Sequence, residues 1–194
     1  MFPLAVTAAL PAKTIVVYFS QPEDVELPPG VDAVSGASLV ASGGQRLGSC
    51  EYLAKVIQEE IGADLFRIET ANPYPREHQA LTEFVREEQL RGEFPALAGK
   101  VKDIASYDTV ILCYPIWWYA LPLPVAAFLE AHQLDGVTIH LAVVHGGSRL
   151  CGTDTEVARL EQNAVVGTRP LVISRTDIAG SGRRIAEWAR SIRE

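Results

Sequence analysis

Three short segments carry residue types that could hold and tune a ligand. Pro115, Ile116, Trp117, Trp118 and Tyr119 follow the apolar run 109–114, where the chain should be turning into solvent. Three adjacent large aromatics in a turn are costly to expose, so they either plug a gap between elements or form one wall of a slot for a flat ligand. His145, Gly146, Gly147 and Ser148 end a second apolar run, 138–144, and the two glycines let backbone come close to a ligand. Gly48, Ser49 and Cys50 open the amphipathic segment 51–61 and offer backbone N–H groups where an anion would sit. A phosphate site, an aromatic wall and a glycine wall, each after a different strand, describe a nucleotide-like molecule with a planar ring.

The elements that must position these segments follow from hydrophobic periodicity. Short apolar runs at 14–19, 64–69, 109–114, 138–144 and 170–174 alternate with helical patterns, which predicts a parallel sheet covered on both faces. Leu53, Val56, Ile57 and Ile61 share one helical face, as do Leu81, Phe84 and Val85, and so do Ile185, Trp188, Ala189 and Ile192. Thr153 to Glu156 reads as a capping box starting a helix to Asn163, and Pro122 and Pro124 sit where the helix after the tryptophans begins. Right-handed crossovers then give an α/β three-layer sandwich with a five-stranded sheet of order 2-1-3-4-5. Residues 21–47 break the pattern, because they are far longer than the two to six residues usual between a strand and its helix. Residues 37–41 are expected to form a short strand before a Gly43-Gly44 turn, and the whole insertion is expected to fold over the ligand with its acidic front half in solvent.

At these motifs the chain resembles the flavodoxin-like FMN-binding family, and especially the branch whose flavin loops read Pro-Ile-Trp-Trp and His-Gly-Gly-Ser. The resemblance runs from Lys13 to Glu194 and includes Asn72-Pro73-Tyr74-Pro75 after the second strand. Flavodoxin is itself the standard example of the 2-1-3-4-5 order, with FMN between strands one and three. The resemblance implies a phosphate loop of Ser20, Gln21, Pro22, Leu47, Gly48, Ser49 and Cys50. It implies a ring wall of Pro115, Ile116, Trp117 and Trp118, and a second flavin loop of His145, Gly146, Gly147, Ser148, Cys151 and Gly152. The chain departs from the family where Cys50 replaces a hydroxyl and where the long insertion replaces a short spacer. Cys50 reads either as a thiol activated at a helix N-terminus or, preferably, as a buried substitute for threonine.

The resemblance implies an FMN-binding redox protein that transfers electrons through the flavin, with no catalytic side chain and no metal. An electron carrier is favoured; an NAD(P)H-dependent quinone or flavin reductase on the same fold is the first alternative, and a flavin-free sensor or interaction module the second. An esterase reading of His-Gly-Gly fails, since the chain has no Gly-x-Ser-x-Gly elbow. No G-x-G-x-x-G and no P-loop pattern is present. His78, His132 and His140 lack metal-ligand spacing and receive no role.

Length and charge bound the rest. A chain of 194 residues has room for one full core, here 13–194 after an N-terminal extension 1–12. The net charge of −7, from 24 acids against 17 Lys and Arg, argues against nucleic acid and for redox partners with basic surfaces or a small-molecule electron acceptor. Cys50, Cys113 and Cys151 are odd in number and lack C-x-x-C spacing, which suits a reducing, cytoplasmic setting. The apolar 1–12 stretch has no basic n-region, and an exported form with a removed leader stays as the alternative. No run approaches the ~18 apolar residues of a membrane span.

Overall fold

The structure, a computed structural model, describes residues 13–26 and 28–193; the expected extension 1–12 lies outside them. In chain order the strands are β1 (Thr14–Tyr18), β2 (Ala33–Val34), β3 (Leu39–Ser42), β4 (Gln45–Gly48), β5 (Asp64–Arg67), β6 (Thr109–Pro115), β7 (Thr138–His145), β8 (Val165–Val166) and β9 (Leu171–Ser174). The helices are α1 (Ser49–Ile61), α2 (His78–Arg91), α3 (Leu123–Ala131), α4 (Thr153–Leu160) and α5 (Gly182–Ser191).

Side-chain alternation along the central strands builds two cores. Val17, Leu112, Tyr114, Leu141 and Val143 pack against Leu81 and Val85 of α2, Phe128 of α3 and Val157 of α4. Their sequence neighbours Val16, Tyr18, Ile111, Cys113 and Val144 pack against Leu53 and Ile57 of α1 and Ile185 and Ala189 of α5. Successive residues of a strand point to opposite faces, so a strand apolar at every position needs helices on both. The sheet is parallel, ordered β5-β1-β6-β7, and the far side of β7 is shared by β8 along its first residues and β9 along its last. With β8 set aside as a two-residue addition, the order is the expected 2-1-3-4-5. Pro122 precedes α3 and Pro124 lies in its first turn, where a missing N–H costs nothing.

The insertion is itself a sheet. β3 and β4 form a hairpin across Gly43 and Gly44, whose φ values of 54° and 75° are open to glycine at little cost. β2 adds a third antiparallel strand. The expected strand at 37–41 starts two residues later, because Ser35–Ala37 forms a 3-10 turn first. The hairpin is pinned to the main domain: Leu39 pairs with Gly48, the Ser49 amide donates to Ser38 O at 2.8 Å, and Val40 joins the α1 core.

Candidate functional site

The C-terminal ends of β6 and β7 open onto a cavity of about 780 Å³, a size typical of small-ligand sites. The loop after β6 contributes Pro115, Ile116, Trp117, Trp118 and Tyr119, and the loop after β7 contributes His145, Gly146, Gly147 and Ser148. α2 closes one side with His78, Leu81, Thr82 and Val85. The insertion supplies Gln21, Glu23, Gly36 and Ser38, and Arg175 enters just after β9.

The aromatic loop is a tight turn under strain. The Ala120 amide donates to Trp117 O at 2.9 Å and the Trp117 amide returns to Ala120 O at 3.3 Å. The two residues between, Trp118 and Tyr119, have φ of 46° and 62°. A turn with both central residues at positive φ normally uses Asn or Gly, and a bulky side chain there costs on the order of 1–3 kcal/mol. The two tryptophans are held differently. Trp117 packs edge-on to Phe19 and Tyr74, with centroids 5.1 and 5.5 Å away. Trp118 is 46% exposed, its indole N–H donates to Thr82 O at 3.2 Å, and Arg86 lies 5.7 Å from its ring. Gln89 donates to Trp117 O at 3.1 Å, so α2 fixes the loop from both ends.

The second loop is organised from below. The hydroxyl of buried Tyr114 lies 2.9 Å from Thr153 Oγ1, and Thr153 donates in turn to Leu150 O at 2.8 Å. That bond corrects the capping-box expectation. Thr153 is the first residue of α4 rather than its cap, Gly152 takes the cap position with φ 76°, and the helix ends at Leu160 rather than Asn163. Above it the Gly147 amide donates to His145 Nδ1 at 2.9 Å, which requires that nitrogen unprotonated. Burial, and next the nearby Arg149, hold the His145 pKa below its ordinary value, with Asp177 opposing.

The remaining expected site residues do not line the cavity. Ser20, Leu47, Gly48, Ser49 and Cys50 are all buried, and a Cβ placed on Gly48 would fall 2.1 Å from Ser20 Oγ and 3.2 Å from Pro22 Cδ. Among the described residues the buried Ser49 Oγ finds no hydrogen-bond partner. Cys50 sits in the α1 core, where burial pushes its thiol well up, opposite in direction to an activated helix-terminal thiol. Cys151 is exposed beside the loop, and Gly152 caps α4.

Several cavity residues were not read from the sequence. Leu81 and Val85 were read as core, which they also are. His78, the first residue of α2, accompanies them, and its Nδ1 lies 2.6 Å from Glu23 Oε1, tying the insertion to α2. Gln21 reaches Tyr74 O and Pro75 O at 3.4 Å each. Arg175 was findable, because in this architecture every residue just past a strand's C-terminal end is a candidate for the crevice. Among the described residues, no group of three or more His, Cys, Asp or Glu could hold a metal, and no helix is long and apolar enough to cross a membrane.

A parallel sheet of order 2-1-3-4-5 with a ligand-sized cavity at its strand ends defines a doubly wound α/β binding domain. The family model for flavodoxins matches residues 37–179, and the chain belongs to the flavodoxin family. No curated relative matches it. Among solved structures, a candidate flavoprotein of Bacteroides uniformis ATCC 8492 aligns with TM-score 0.64 at 20% identity, covering 92% of this chain and 98% of its own. A candidate flavoprotein of Bacteroides eggerthii DSM 20697 gives TM-score 0.58 at 22% identity, over 90% and 98% of the two chains. A flavoprotein of Lactobacillus acidophilus NCFM, solved in complex with FMN, gives 0.56 at 15% identity, over 80% and 89%. These likenesses show the fold.

Proposed function

We propose that the chain is an FMN-binding redox protein that passes electrons through the flavin, a carrier in preference to an NAD(P)H-dependent reductase. The observation that carries this reading is the cavity itself, because the loops after β6 and β7, expected to flank a flat ring, line the same space. The residues present fit the ring. Trp117, Trp118 and Tyr119 offer a broad apolar wall, and Gly147 offers backbone with open space where a side chain would stand. FMN, when bound, supplies one- and two-electron chemistry at its isoalloxazine.

The protein's part is to orient the ring, exclude water and set the local charge. Trp117 is fixed against Phe19 and Tyr74, and Trp118, anchored on Thr82, can cover the ring's outer part. Acidic groups favour the carrier. Glu23 lies in the cavity wall and Asp24, Glu26 and Asp32 are exposed along the insertion, so anionic NAD(P)H is repelled while a partner with a basic surface is attracted.

The cofactor extracted from the purified protein decides the reading. Heat release followed by mass analysis is expected to give FMN in stoichiometric amount. A colourless protein that stays colourless in added FMN, or FAD in the extract, would overturn it. Rapid bleaching of the flavin by NADH or NADPH alone would move the assignment to a reductase.

A further inference from the structure

Among the described residues that line the cavity, Arg175 is the only lysine or arginine. It is half-buried just past β9, and its amide donates to His145 O at 2.8 Å, which fixes it beside the loop after β7. Its guanidinium lies over Gly146: a Cβ built there would stand 3.3 Å from Nε and 3.4 Å from Cζ. No carboxylate of the described residues lies within 4.0 Å of that guanidinium. Asp177 is exposed and accepts the Thr176 hydroxyl at 3.0 Å. Glu23, which shares the cavity wall, lies 2.6 Å from His78 Nδ1. A guanidinium partly withdrawn from water and left without a carboxylate favours negative charge placed beside it, and does so more strongly than it would in bulk water.

The loop that carries this cation is one of the pair expected to flank the flat ring, and the ring is where charge changes. Oxidised FMN has a neutral isoalloxazine, whereas uptake of two electrons and one proton leaves a negative charge on it. A fixed cation shifts such an equilibrium only through what it does differently to the two states. It gains little from a neutral ring and much from an anionic one, so a preorganised guanidinium favours reduction. The phosphate expected at the start of α1 has a donor of its own there, since the buried Ser49 Oγ finds no partner among the described residues. Arg175 is thereby left to the ring.

We propose that Arg175 sets the reduction potential of the bound flavin. Held over Gly146 at the end of β9, it stabilises the negative charge that the ring gains on reduction and raises the potential above what backbone amides alone would give. The electrons come from the redox donor of the carrier reading and the proton from solvent. The proposal rests on the FMN reading for the identity of the ligand. A Cβ at position 146 would crowd the guanidinium, so the glycine serves the arginine as well as the ring.

Anaerobic potentiometry of the FMN-loaded protein, with dithionite as reductant and a reference dye, tests this alongside titration of the apoprotein with oxidised FMN. Arg175→Ala is expected to weaken reduced FMN about tenfold more than oxidised FMN, the scale of a hydrogen bond to a charged group. That ratio corresponds to a fall of about 30 mV in the two-electron potential. Arg175→Lys should recover part of the loss, since it keeps the charge without the planar fork. Arg175→Gln replaces the Ala variant should that one fail to fold. A potential unchanged in the neutral variants overturns the proposal and leaves the FMN reading standing. Equal weakening of oxidised and reduced FMN overturns it too, because the arginine would then hold the cofactor without regard to the charge of its ring. A wild type that takes up no FMN sinks the FMN reading and this proposal together.

Discussion

Tyr119 shows how much local order the aromatic loop gives up. It is 71% exposed and holds φ at 62° beside Trp118 at 46°. Glycine reaches that region freely, whereas an L side chain loses roughly 1–2 kcal/mol there. Tyr119→Gly should therefore stabilise the fold by about 0.5–1 kcal/mol once the extra freedom of glycine in the unfolded chain is counted, while removing one aromatic from the cavity wall. The expected result is a higher thermal midpoint together with weaker FMN retention. A lower midpoint would mean that the turn is unstrained. At this scale the sequence was legible in residue types and blind to conformation. Three aromatics in a turn announced a wall, but that Trp117 turns inward onto Phe19 and Trp118 outward onto Thr82 depends on two positive φ values that no composition encodes. Cys50 reads preferably as a buried substitute for threonine because it stands where the family has a hydroxyl, and it is buried in the α1 core.

The insertion is the element whose length says least about its role. A stretch of 27 residues with seven Gly and Pro reads as a loop, yet it forms a hairpin and a third strand with Leu39 and Val40 only 3% and 1% exposed. The Gly43-Gly44 turn was readable, and so was the short apolar run before it. The docking was not, because it depends on Leu39 pairing with Gly48 and on Val40 entering the core between the sheet and α1, contacts set by the tertiary fold. The consequence is a part of the core rather than a detachable lid. Val40→Ala should cost roughly 1–3 kcal/mol, the scale of a buried truncation, and should loosen the cover over the start of α1. Urea unfolding would show the loss, and faster modification of Cys50 by a thiol reagent would show the loosening. A variant as stable as the wild type with an equally protected thiol would reduce the insertion to surface decoration.

Across the whole molecule the parallel sheet was the most legible feature, since five apolar runs separated by helical patterns leave few topologies once crossovers must be right-handed. The cavity was legible only in part, because its α2 wall and Arg175 come from segments whose residue types have ordinary core or surface readings. Charge at this scale makes the last prediction. Glu88 and Glu161 are buried carboxylates, and Glu161, 7% exposed at the end of α4, carries the larger consequence for pH. Burial, and then the neighbouring Asp135, raise its pKa to about 7 against a backbone hydrogen bond from Leu134 that lowers it. The folded state then holds a proton that the unfolded chain releases from about pH 4.5 upward, so this group's contribution to stability is full below that pH and is lost as pH rises towards 7. His132 and His140, whose pKa values burial lowers, push the other way, since their contribution grows as pH rises to about 6.5. The wild-type profile mixes both, and Glu161→Gln separates them. Thermal midpoints of variant and wild type should nearly coincide at pH 4, diverge between about pH 4.5 and 7 with the variant higher, and run parallel above pH 7. A constant offset across the range would mean that Glu161 reaches water in the folded protein and keeps the ordinary carboxylate pKa.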